Sequence, residues 1–352
     1  MNNKLNSIQI FRGIAALLVL FYHFGSEFTR HTDYEFLGGI FEFGYSGVDF
    51  FFVLSGFIIT YSFLNEKVKK GISVYLKKRL IRVYPVYWIV TILLIPLYFI
   101  VSSIGVDYQR DPIYLVKSLL LVPQEQPPLL SVGWTLTHEI KFYILFGLFM
   151  VLKSKYLKYL GVLWIIFTAL FALNILEAKT ILVDFIFSSY NFEFLFGVVC
   201  AIVVMRGSSF LPYISIGVLS YFGLGFAEAI GGLEIESSRV LAYGIPSAIL
   251  ILGLARFDIA KERKPYSLLV LLGDASYSIY LIHLPLANIL NRGLSFTSGI
   301  TQAYIFEFTI IIFTIFAGVI FHVLIEKPLL KYLRNLFFSK KATVEKTIPI
   351  ND

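Results

Sequence analysis

The chain has one cysteine in 352 residues, Cys200, which excludes an internal disulfide. Its setting, Phe196-Gly197-Val198-Val199-Cys200-Ala201, suits a small packing residue. Charged residues are scarce at 15%, against about 25% in soluble domains. There is no P-loop and no glycine-rich dinucleotide fingerprint, which excludes a nucleotide-binding cassette. His138-Glu139 opens like a zincin helix, but Phe142 stands where the second histidine is needed, so a zinc protease is excluded. No other cluster has metal-ligand spacing, and no metal is expected. The net charge of +7 is gathered in short loops and does not read as nucleic-acid binding.

Apolar residues are abundant, at 57%, with 35 Phe and 22 Tyr. This composition predicts an all-α, polytopic membrane helix bundle. Ten spans of membrane length follow, at 8–25, 47–64, 82–103, 139–153, 159–176, 181–205, 210–228, 239–256, 267–290 and 301–325. Pro96 interrupts the third, and the fourth is short. Lys and Arg divide unevenly between the two sets of loops: twenty-two on one side and six on the other, with Arg12 and Lys141 inside spans. The positive-inside rule then puts both termini in the cytoplasm. The first apolar run holds Arg12 and lacks a small-x-small site, so it is not read as a signal peptide. The outer loop at 104–138 is too short for a separate domain. One transmembrane domain is expected over 1–336, with a flexible cytoplasmic tail over 337–352.

Charged and titratable residues inside spans are costly and mark function. Arg12 and His23 are eleven residues apart, about three helical turns, so they share one face about 16 Å apart. Asp49, at the outer end of the second span, has two readings: it orients the His23 imidazole, or it caps its own helix. Ser55 and Gly56 either permit close helix packing or meet substrate. Arg79 and Arg82 share a face and form either a phosphate clamp or ordinary interfacial anchoring. Glu139 and Tyr143 are four apart and also share a face, expected toward the outside. Lys141 needs a partner that the sequence does not identify. His283 and His322 read as structural hydrogen-bonders.

These segments together resemble the acyltransferase-3 family of integral membrane acyltransferases. The resemblance rests on five segments. They are Arg12 with His23; Phe51-Phe52-Val53-Leu54-Ser55-Gly56-Phe57; and Arg79-Leu80-Ile81-Arg82-Val83-Tyr84-Pro85. The others are Trp134-Thr135-Leu136-Thr137-His138-Glu139 with Phe142-Tyr143, and Ser276-Tyr277-Ser278-Ile279-Tyr280-Leu281-Ile282-His283. Thr135 stands where the family more often has Ser. The likeness runs from about residue 5 to 330. It implies about ten membrane helices in a cell membrane, with acetyl-CoA as cytoplasmic acyl donor. The implied acceptor is a carbohydrate, a surface polysaccharide or lipid-linked sugar. The chain ends soon after the tenth span, which favours a stand-alone enzyme over a fused esterase-like one.

On this reading His23 is the general base or transient acyl carrier, with Asp49 and Glu139 as catalytic partners. Arg12, Arg79, Arg82 and Tyr84 would hold the donor, and Trp134, Tyr143 and Ser55 the acceptor. The alternative is a transporter or flippase for an anionic lipid-linked sugar, since buried charge also marks transport pathways. No internal repeat supports it.

Overall fold

The computed structural model describes residues 5–65, 71–100, 106–151, 155–207, 211–233, 235, 238–260 and 267–338. Among them there are helices and no strands. The α-helices are α1 (Asn6–Thr32), α2 (Gly47–Asn65), α3 (Ile72–Ile100), α4 (Pro112–Leu120) and α5 (Gly133–Phe146). They continue with α6 (Lys155–Ala172), α7 (Ile181–Ile186), α8 (Asn191–Arg206), α9 (Leu211–Ala229) and α10 (Arg239–Ala260). The last are α11 (Ser267–Leu290), α12 (Ile300–Phe321) and α13 (Lys327–Phe338).

Seven helical stretches among the described residues are long and apolar enough to cross a membrane. The chain is therefore a multi-pass, all-α membrane protein. The expected spans at 139–153, 159–176 and 210–228 fall on α5, α6 and α9, which are not among the seven. The expected tail lies, from residue 339 onward, outside the described residues.

Two boundaries differ from expectation, and both move functional residues. α3 begins at Ile72, ten residues before the expected span, and runs unbroken through Pro85 and Pro96. In a bundle, neighbouring groups can satisfy the carbonyls that a proline leaves free, so Pro96 does not end the helix. Arg79 and Arg82 therefore lie within α3. α5 begins at Gly133, not 139, which puts Glu139 almost two turns inside the helix.

Glycines set the closest crossings. A Cβ on Gly273 of α11 would stand 1.9 Å from the Gln9 carbonyl oxygen of α1. A Cβ on Gly56 of α2 would stand 2.0 Å from the Phe194 carbonyl oxygen of α8. Backbones this close need small residues at the contact, the usual device where lipid supplies no hydrophobic drive between helices. The first crossing brings the polar residues of α1 and α11 together. α1 is capped by Asp33, in the left-handed conformation (φ 59°), with its N–H on the Thr29 carbonyl.

Candidate active site

The α1–α11 crossing fixes Arg12. Its Nε donates to Ser276 Oγ at 3.0 Å, and its Nη1 to Gln9 Oε1 at 3.0 Å. Gln9 Nε2 in turn donates to Asp274 Oδ1 at 3.1 Å. A guanidinium in a membrane helix is thus anchored on two neighbours, one of them held in turn by Asp274, which offsets part of its desolvation.

Arg12 lines a cavity of about 340 Å³ at the end of the bundle where α1 begins. Arg79 and Arg82 of α3, Ser55 of α2, Glu139 and Tyr143 of α5 and Asp274 of α11 line the same space. Glu139 is the hub of its wall. Its Oε1 accepts from Ser55 Oγ at 3.0 Å and from the Tyr143 hydroxyl. Arg79 lies over the Tyr143 ring, 6.0 Å from its centroid, and its Nε is buried with no hydrogen-bond partner. A buried guanidinium N–H left unpaired is a ready donor for an anionic ligand.

Five of the expected site residues therefore meet in one chamber with Arg12: Ser55, Arg79, Arg82, Glu139 and Tyr143. The expectation that Glu139 and Tyr143 face the outside is corrected. The early start of α5 carries both down to the three arginines.

Four expected residues lie elsewhere. The Tyr84 hydroxyl donates to the Leu120 carbonyl at 2.9 Å, and Tyr84 does not line the cavity. Trp134 packs among aromatic rings, 6.1 Å from Phe52 and 5.5 Å from Tyr190. Asp49 is wholly buried and taken by Arg239, whose Nε and Nη2 donate to its two oxygens at 2.8–3.0 Å. Neither Asp49 nor Glu139 bonds His23. Arg239 opens α10, 190 residues away, so the bidentate pair joins α2 to α10.

His23 lies beyond the cavity. Its ring is 5.1 Å from that of Tyr22 and 5.3 Å from that of His283 on α11. His283 is wholly buried, and its Nδ1 is 2.7 Å from the Tyr280 carbonyl. A carbonyl only accepts, so Nδ1 carries the proton and Nε2 keeps a lone pair. That Nε2 has no partner. Tyr280 joins the two regions: it lines the cavity, and its ring lies 5.6 Å from that of His283. Its hydroxyl is 3.0 Å from Thr135 Oγ1.

Sequence reasoning passed over Gln9, Asp274 and Arg239 as site residues, and quoted Tyr277 and Tyr280 within a motif without giving them a role at the site. Gln9 could have been found from its spacing of three before Arg12 on one face. Asp274 and the two tyrosines are polar residues inside a span, a signal in their own right. Lys141 has its partners: the Phe185 carbonyl at 2.5 Å and His138 Nδ1 at 3.2 Å.

The bundle is that of a membrane protein with a charged, ligand-sized chamber at one end and paired imidazoles past its far wall. The chain belongs to the acyltransferase family, whose acyltransferase domain matches residues 5–325. It is 27% identical over 311 residues to the exopolysaccharide production protein ExoZ of Rhizobium meliloti (strain 1021), covering 84% of this chain and 93% of that one. It is 24% identical over 382 residues to the acyltransferase MdmB of Streptomyces mycarofaciens, covering 94% and 92%. No solved structure matches the chain. The protein is an acyltransferase, and the transport alternative is set aside.

Proposed function

We propose that the enzyme moves an acetyl group from cytoplasmic acetyl-CoA to a hydroxyl of a surface polysaccharide or lipid-linked sugar in the cell membrane. The relative named for exopolysaccharide production supports the carbohydrate acceptor. The loop charge bias supports a cytoplasmic position for the end where α1 begins.

The carrying observation is the chamber built around Arg12, Arg79 and Arg82. Three cations at one end suit the phosphates of a nucleotide-bearing donor. At about 340 Å³ the chamber is near the small end of ligand pockets. It suits a thin pantetheine arm, with the nucleotide held at the mouth. The arm would run along α1 past Arg12 toward His23, about 16 Å deeper.

His23 acts as base. It takes the proton of the acceptor hydroxyl as the oxygen attacks the thioester carbonyl. The carbon–sulfur bond breaks, and the thiolate leaves with the proton that His23 returns. Alternatively His23 itself takes the acetyl group, releases the thiol, and passes the acetyl on. His283, whose ring is 5.3 Å from that of His23 and whose Nε2 is left without a partner, is the group near enough to orient His23 during turnover, in place of Asp49 or Glu139. Tyr280 must turn aside for the thioester to reach His23.

Purified protein given labelled acetyl-CoA and a glycan acceptor should transfer label. The His23→Ala protein should insert normally and lose about 10²–10⁴-fold in rate. Undiminished transfer by that variant sinks the proposal.

A further inference from the structure

Two cavities open at the end of the bundle opposite the arginines, on different faces of α1. The first, about 470 Å³, is lined by Glu27 and Arg30 of α1, Tyr98 of α3, Tyr108, Asn288 of α11, and Arg292 just past it. The second, about 400 Å³, is lined by Tyr22, Ser26, Thr29, Tyr45 and Glu228.

Helical geometry tells them apart. At about 100° per residue, Glu27 lies about 40° from His23 around α1 and Arg30 about 20°. Arg12, His23, Glu27 and Arg30 thus form one stripe along the helix. Glu27 stands one turn, about 6 Å, past His23. Tyr22, Ser26 and Thr29 lie about 60–120° away in the other direction. The chamber around Arg12, the His23 ring and this cavity therefore follow one stripe of α1.

Its lining has the chemistry of a sugar site. Tyr98 and Tyr108 put aromatic rings in its wall, the residue type against which the C–H face of a pyranose packs. Asn288 carries a planar amide whose donors and acceptor suit adjacent hydroxyls. Glu27 adds an acceptor, held by Arg30 at 2.8 Å.

We propose that this cavity is the acceptor subsite, binding a pyranose unit of the glycan with one hydroxyl directed down the α1 stripe to His23. The assignment rests on the acyl-transfer reading. It differs from the sequence expectation that Trp134, Tyr143 and Ser55 hold the acceptor.

The test uses membranes containing the full chain, labelled acetyl-CoA, and glycan extracted from cells lacking the protein. Asn288→Leu and Tyr108→Ala, both at exposed positions, should each raise the KM for glycan about tenfold. The KM for acetyl-CoA should stay unchanged. Ser26→Leu, which fills the other cavity, should change neither. If the two first variants keep the wild-type KM for glycan, or if Ser26→Leu alone raises it, the subsite lies elsewhere. If wild-type membranes transfer no label to glycan, the acyl-transfer reading itself has failed, a result distinct from the others.

Discussion

The imidazoles of His23 and His283 lie 5.3 Å apart, centroid to centroid, with their planes inclined by 36°. One comes from α1 and the other from α11. The Tyr280 carbonyl fixes the His283 tautomer, which leaves a buried acceptor nitrogen without a partner. Such a nitrogen is costly to bury without a partner, and a ring N–H of His23 is the near candidate. His283→Ala should therefore lower kcat about 10–100-fold while leaving the KM for acetyl-CoA unchanged. His283→Gln, which keeps a side-chain acceptor, should recover part of the loss. Equal loss in both variants, together with reduced thermal stability, assigns His283 to packing alone.

Arg79 and Arg82 should act on donor affinity. A hydrogen bond to a charged group is worth about 1.5–3 kcal/mol, or about 10–100-fold in Kd. Arg79→Ala and Arg82→Ala should each weaken acetyl-CoA binding by that order, and higher salt should weaken the wild type in the same direction. Titration calorimetry in detergent measures both. Unchanged affinity in both variants moves the nucleotide site off α3.

The Asp49–Arg239 pair should matter to stability. Asp49 is wholly buried, and the Arg239 side chain is 19% exposed. Removing one partner of a buried pair costs about 3–5 kcal/mol, because a charge is left uncompensated. Asp49→Ala should lower the Tm sharply. The double variant Asp49→Leu with Arg239→Met should be less harmed than the single one. If the double variant is the worse of the two, the pair contributes more than charge balance.

The sequence carried the architecture because hydropathy is a local property: each apolar run reports itself. It carried part of the site for the same reason. Arg12, Arg79 and Arg82 are visible as charges at helix spacing, and Glu139 with Tyr143 as neighbours four apart. Depth was harder to read. Gly133 to His138 are less apolar than the residues that follow, so the fourth span began too late and Glu139 was set at the wrong end. Partners far along the chain were not legible at all. Nothing near Asp49 points to Arg239, and the Lys141 partner is a backbone carbonyl, which leaves no mark in the sequence.

The α1–α11 crossing should tolerate no side chain at Gly273. A Cβ there would overlap the Gln9 carbonyl oxygen at 1.9 Å, backbone against backbone, so the helices must separate. Separation would also pull Ser276 from Arg12. Gly273→Ala should lower both the Tm and the affinity for acetyl-CoA, and Gly273→Val should reduce the folded fraction on size-exclusion chromatography. A Gly273→Ala protein with wild-type Tm and donor affinity would show that the crossing is looser than drawn.

Tyr280 stands between the donor chamber and the imidazole pair, its hydroxyl 3.0 Å from Thr135 Oγ1 and its ring against His283. On the proposed mechanism this ring would keep water from the thioester until the acceptor is seated, and its movement would be part of each turnover. Removing the ring should uncouple the two. Tyr280→Ala should raise acetyl-CoA hydrolysis in the absence of glycan, read as free thiol release, while lowering transfer to glycan. Tyr280→Phe breaks the bond to Thr135 but keeps the ring. It should leave the barrier largely in place and hydrolyse little more than wild type. Should Tyr280→Ala release thiol no faster than the wild type without acceptor, the barrier between donor and imidazole is not this ring, and the donor must reach His23 by another face of α1.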